Sequence, residues 1–115
     1  MQFNYFDIHS HLNLKPLLEN KEAILVRMRE DRIGTITVGI DYETSQMAID
    51  LAEKNPDVLW ATVGLHPNDA PTSFVPSIGE GQNDNVDEVF EYEKYLALAK
   101  HEKVVAIGET GLDYF

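Results

Sequence analysis

Two histidines one residue apart, His9 and His11, close an apolar stretch that contains Phe3, Tyr5 and Phe6. On an extended strand alternate side chains share a face, so Asp7, His9 and His11 are expected to point the same way. Two imidazoles placed like this can converge on one cation, each giving a nitrogen at about 2.0–2.1 Å. A helix would separate them, because positions two apart do not face each other there. The spacing reads as a metal site at the end of a first strand, with two surface histidines in a turn as the alternative. Two more chemical groups end apolar runs: His66 after Val63-Gly64-Leu65, and Glu109 after Val104-Val105-Ala106-Ile107-Gly108. A carboxylate in that position is either a functional group or one half of an ion pair. Alternation puts Val105, Ile107 and Glu109 on one face, with the two apolar residues filling the layers beneath the carboxylate, and Val104, Ala106 and Gly108 on the face that meets helices. The remaining histidine, His101, lies between Lys100 and Lys103 and reads as a surface residue near a helix end, favourable to the helix dipole.

These groups need a frame. Strands are expected over 3–9, 35–40, 59–65 and 104–109. Asn20 is placed to cap a helix running to Asp31, with Ile24, Leu25 and Met28 on one stripe. A second helix is expected over 44–54, with Met47, Ala48, Leu51 and Ala52 inward and Asn55-Pro56 stopping it. A third, capped by Asn85 and running to Lys100, would turn Val89, Tyr92, Leu96 and Ala99 to the sheet. A long loop is expected from Pro67 to Asn85, carrying three of the five prolines. Strands alternating with helices predict a parallel sheet with crossover helices, the α/β class. Three strand ends repeat loosely, as Val38-Gly39-Ile40-Asp41, Val63-Gly64-Leu65-His66 and Ile107-Gly108-Glu109. In α/β folds that end of the sheet is where sites are built.

The length, 115 residues, is that of one domain. Without cysteine, disulfides and thiolate metal sites are excluded, and a reducing, cytoplasmic setting is expected. No leader and no membrane span are expected, since the first residues show no basic region followed by an apolar core and no apolar run comes near the roughly 18 residues of a span. A net charge of −11 argues against broad electrostatic binding to nucleic acid, unless bound cations line the site. Glu80, Asp84, Asp87, Glu88, Glu91 and Glu93 follow one another without a Lys or Arg and read as a solvated face.

Taken together, Asp7-Ile8-His9-Ser10-His11-Leu12-Asn13, Val63-Gly64-Leu65-His66-Pro67 and Ala106-Ile107-Gly108-Glu109-Thr110-Gly111-Leu112-Asp113-Tyr114 resemble the TatD family. These are metal-dependent deoxyribonucleases built on an amidohydrolase-like (β/α)8 barrel. The blocks occur in the family's order and span nearly the whole chain. Ile8 departs from the small residue more usual there, and the stretch from 71 to 85 is longer than usual. The resemblance implies that residues 1–115 are the N-terminal half of such a barrel, its first four strands and three helices. It makes His9 and His11 metal ligands and Glu109 a catalytic carboxylate ligand able to bridge two ions. It makes His66 a second catalytic residue, near the substrate phosphate, with Asp7 and Asp113 as neighbours that orient ligands or meet substrate. Two divalent ions (Zn, Mn, Mg or Co) would serve the complete enzyme, with DNA as substrate. Two further His and one Asp, from later strands, have no counterpart here, so the fragment alone is expected to be inactive. Its open edges and uncovered interior face call for self-association or a C-terminal half. Two other readings stay open: a hydrolase of C–N or ester bonds on a related barrel, and a non-catalytic half-barrel serving assembly.

Overall fold

The computed structural model describes residues 1–68 and 89–111. Its elements run β1 (Tyr5–Ser10), α1 (Lys21–Asp31), β2 (Ile33–Val38), α2 (Tyr42–Lys54), β3 (Leu59–Val63), α3 (Tyr92–Ala99) and β4 (Val104–Ile107), with one 3-10 turn at Leu18–Asn20. The four strands form a single parallel sheet in the order β1-β2-β3-β4. This is the expected α/β half-barrel. All the strands run the same way, so their carboxyl ends lie on one side of the sheet, where the chemical groups are carried.

The core lies between the sheet and the helices. Leu25 and Met28 of α1, Ala48, Ile49, Leu51 and Ala52 of α2, and Leu59, Ala61 and Val63 of β3 are all buried. Helix α2 begins at Tyr42, ahead of the expected Thr44, because Asp41 and Thr44 form a capping box. The Thr44 amide donates to Asp41 Oδ1 at 2.7 Å and the Asp41 amide to Thr44 Oγ1 at 3.0 Å. Asn20 holds the N-cap position of α1, but its side-chain amide donates to the Pro16 carbonyl instead of capping. The Arg29 guanidinium of α1 forks onto Asp57, at 2.8 and 3.0 Å, and reaches Asn55 at 2.8 Å, tying α1 to the turn before β3.

Helix α3 is shorter than its sequence pattern. Asn85 lies outside the described residues, and 89–91 are not helical. The inward residue is Tyr95, with Leu98 and Ala99 packed on the core, whereas Val89 and Tyr92 are 69% and 63% exposed. Tyr95 takes the inward place because its ring meets Phe90 (5.0 Å, stacked) and Tyr42 of α2 (5.9 Å, edge-on). The expected loop from 67 to 85 lies outside the described residues beyond Asn68, as does most of the acidic run; Glu91 and Glu93 are exposed.

Strict alternation fails on both edge strands. Tyr5, Phe6 and Asp7 pair with Ile33, Gly34 and Thr35, but the next pair is Ser10 with Thr37, three residues on β1 against two on β2. Asp7 therefore lines a cleft with Ser10, Ile24, Met28 and Thr35, on the α1 side, and does not share a face with His9. On β4 the partners of Ala61, Thr62 and Val63 are Val104, Ala106 and Ile107, again with one residue extra. Ile107 thus stands level with Val63 and lines a cavity with Tyr95, Leu96 and Ala99 of α3, so it does not fill a layer beneath Glu109. A bulge reverses the facing of everything beyond it, which period-two counting cannot see.

On the sheet face turned from α2, Phe3 meets Phe6 and Trp60 edge to face and Phe6 meets Trp60 at a tilt, with ring centroids 5.4–5.9 Å apart. Gly34 sits beneath them because a Cβ there would come within 2.6 Å of the Phe6 ring. Ile8 and Val105 stay 75% and 50% exposed. Among the described residues no helix is long and apolar enough to cross a membrane.

Candidate metal centre

The chain leaves β1 at Ser10 and is anchored at once by Asn13, which is 1% exposed. The Asn13 amide donates to the carbonyls of Val38 (3.1 Å) and Thr44 (2.9 Å), and its oxygen accepts from Thr37 Oγ1 at 2.9 Å. That fixes the end of β1 against the ends of β2 and α2. Between these anchors His11 points Nδ1 at the same Val38 carbonyl, 3.2 Å away. A carbonyl can only accept, so His11 carries its proton on Nδ1 and leaves the Nε2 lone pair free. Metal-ligating histidines are oriented in this way.

His9 is re-aimed by the bulge. Its backbone amide donates to Asp7 Oδ1 at 2.9 Å, so the carboxylate fixes the bulged main chain and not the His9 ring. The His9 ring then faces that of His11, with Nε2 to Nε2 at 3.3 Å.

Glu109 arrives from the far edge of the sheet. Its position is set by the Gly108 carbonyl, which lies so near Gly64 that a Cβ on Gly64 would meet it at 2.6 Å. The Gly108 amide also donates to the Val63 carbonyl at 3.1 Å. Glu109 Oε1 stands 3.1 Å from His9 Nε2 and 3.5 Å from His11 Nε2, and Oε2 stands 2.9 Å from His66 Nε2. All four side chains are partly open to solvent, His9 most at 52% and His66 least at 25%.

The three ligand atoms of His9, His11 and Glu109 all lie within 4.8 Å of one another. Their separations of 3.1, 3.3 and 3.5 Å can be set against a tetrahedral ion with bonds of 2.0–2.1 Å, whose ligand atoms stand about 3.3–3.4 Å apart. The donor set therefore fits a small divalent cation. Two lone-pair nitrogens and a carboxylate oxygen pointed at one locus are also mutually repulsive unless a proton or a cation lies between them.

Of the sequence-based site residues, the fold brings His9, His11, His66 and Glu109 together and turns Asp7 away; Asp113 lies outside the described residues. His101 is elsewhere, its Nε2 2.8 Å from Glu53 of α2 while its Nδ1 accepts the Lys103 amide. Sequence reasoning assigned no role to Asn13, although it stands in the first motif, nor to Ser45. Ser45 is fully buried and its hydroxyl accepts the Gly64 amide at 3.2 Å. A polar residue two past a ligand, just after a strand, was the available signal for Asn13.

A family model described as TatD related DNase matches residues 6–115. The chain is 34% identical over 110 residues to an uncharacterized metal-dependent hydrolase of Mycoplasma genitalium, covering 96% of this chain and 38% of that protein. It is 36% identical to the uncharacterized metal-dependent hydrolase YabD of Bacillus subtilis, over 95% of this chain and 37% of the relative. It is 33% identical, with the same coverages, to a protein of Pectobacterium carotovorum named 3'-5' ssDNA/RNA exonuclease TatD. The chain thus spans less than two fifths of the length of these relatives.

Proposed function

Since the chain belongs to the TatD-related DNase family, we propose that it supplies the first part of the active site of a metal-dependent hydrolase of nucleic-acid phosphodiesters. The observation that carries this reading is the spacing of the three donor atoms, which suits one divalent ion held by His9, His11 and Glu109. A bound ion of this kind supplies an activated water and polarises a phosphoryl oxygen.

The chain's own residues do the rest. His11 presents Nε2 because Val38 holds its other nitrogen, His9 presents Nε2 because the bulge turns it, and Glu109 contributes the anionic donor. A ligand set of two nitrogens and one oxygen suits Zn, Mn or Co better than Mg, which prefers oxygen throughout. A second ion, as the complete family enzyme would hold, needs donors from outside residues 1–115. The name borne by the Pectobacterium relative favours single-stranded DNA or RNA as the substrate class. With a net charge of −11, the bound cation is also what would let a polyanion approach.

We read residues 1–115 as the N-terminal half of the barrel, with the exposed Ile8 and Val105 meeting a C-terminal half or a second copy. That same exposed surface favours one further reading, an assembly module without catalysis. Calorimetric titration with zinc separates them. The chain should bind one ion weakly, and the His9→Ala/His11→Ala double variant should not bind at all. Equal affinity in the double variant would remove the metal site and leave the assembly module.

A further inference from the structure

We propose that His66 is a positioning residue for Glu109, holding the carboxylate so that Oε1 faces the two imidazoles. The proposal rests on the metal reading of His9, His11 and Glu109 given above.

The ring nitrogens of His66 are assigned by their partners. The backbone amide of His66 donates to the Ile40 carbonyl at 2.7 Å, which pins the residue beyond the end of β2. The Asn68 amide donates to His66 Nδ1 at 3.1 Å. An acceptor at Nδ1 puts the proton of the neutral ring on Nε2, and Nε2 stands 2.9 Å from Glu109 Oε2, close enough to form an ion-pair contact. His66 is therefore the opposite tautomer to His11, whose Nδ1 carries the proton against Val38. The difference separates their roles. His11 offers a lone pair to the cation locus, whereas His66 offers a proton to the ligand and stands outside the three-residue donor group.

Glu109 needs such a partner. It lies two residues past β4, at an open edge of the sheet, on a side chain with three rotatable bonds. Its two oxygens are divided between tasks, Oε1 toward His9 and His11 and Oε2 toward His66. Groups that hydrogen-bond a ligating carboxylate fix its orientation, and losing one typically weakens metal binding by about 10–100-fold. The line runs from the Asn68 main chain through the His66 ring to Glu109, so the start of the segment after His66 is coupled to ligand geometry at the opposite edge of the site.

Titration of the full chain with Co²⁺, followed by d–d absorption, tests this, with thermal melting as a check on folding. His66→Leu should weaken Co²⁺ binding by about tenfold or more and alter the band shape, and His66→Gln, which keeps a donor N–H, should restore most of both. Unchanged affinity and spectrum in the Leu variant would overturn the proposal, as would a Gln variant as weak as Leu. In the metal-free chain, ¹⁵N NMR should find the proton on Nε2 in His66 and on Nδ1 in His11. A His66 proton on Nδ1 would also overturn it, and this readout needs no variant to fold. Failure of the wild-type chain to bind Co²⁺ would remove the metal reading and the proposal with it. A Leu variant that binds like wild type would remove the positioning role alone.

Discussion

The Val38 carbonyl accepts from both His11 Nδ1 and the Asn13 amide. One main-chain oxygen thus fixes the direction of a ligand and the path of the chain that carries it. Asn13→Ala would remove three hydrogen bonds from a buried position and leave Thr37 Oγ1 without its acceptor. A loss of about 1–3 kcal/mol is expected in urea unfolding, with weaker zinc binding alongside, and unchanged stability would refute the anchoring role. Gly64→Ala tests the other side of the site. The new methyl would meet the Gly108 carbonyl at 2.6 Å, so the end of β4 must retreat and carry Glu109 with it. Calorimetry should find the zinc affinity reduced well beyond any change in melting temperature, and parallel losses in the two would point to general destabilisation instead. At this scale the sequence made His9, His11, His66 and Glu109 legible, because spacing and strand-end position are local properties. It hid the facing of Asp7 and the role of Asn13. The first depends on a register shift between two strands, and the second on partners 24, 25 and 31 residues away.

The elements follow their local rules where those rules are strong. Four β-rich runs became four parallel strands in the expected order, and α2 obeys the Asp41–Thr44 capping box written at its N-terminus. Helix α3 departs from its pattern because Tyr95, held between Phe90 and Tyr42, outcompetes the stripe drawn through Tyr92. Between elements, the Arg29–Asp57 pair has a pH signature. Hydrogen bonds from Arg29, aided by the charges of Arg29 and Lys103, hold the Asp57 carboxyl below its usual value despite some desolvation. A depressed carboxyl adds stability above its unfolded pKa of about 3.9 and loses it as pH falls through the lower folded value. Glu22 near Arg29 does not change that sign, since its charge also favours the guanidinium. Asp57→Asn should therefore flatten the acid side of the stability profile below about pH 4. With both partners 39% exposed, the effect should stay under about 1 kcal/mol. Identical acid slopes for the variant and wild type would show that the pair contributes nothing.

For the molecule as a whole, the exposed apolar side chains on the open edge strands dominate. Phe6, Ile8 and Val105 each expose between 42% and 75% of their surface. Apolar burial is worth about 25 cal/mol per Å², so covering a few hundred Å² gives a substantial drive to associate. Light scattering over a dilution series should find a dimer or larger species. Ile8→Lys with Val105→Lys should shift it toward monomer without loss of helical signal. A wild-type chain that is monomeric and melts cooperatively at high micromolar concentration would show that this face needs no cover. The charges alone gave no hint of such a surface; it follows from β1 and β4 being edge strands among the described residues.

The strand order carries one more consequence. β1 and β4 are the opposite edges of the sheet, three strand spacings apart, which in a flat sheet is about 14 Å. Yet His9 and Glu109, one hundred residues apart in sequence, stand 3.1 Å from each other. Side-chain length covers part of that gap and the curl of the sheet must cover the rest. A cation at this locus would act as a clasp between the first strand and the last, so ligand chemistry and sheet curvature become one variable. Filling the site would tighten the arc on which any further strands must be added, and stripping it would let the arc relax. The centre would then template the closure of a barrel as well as serve its chemistry.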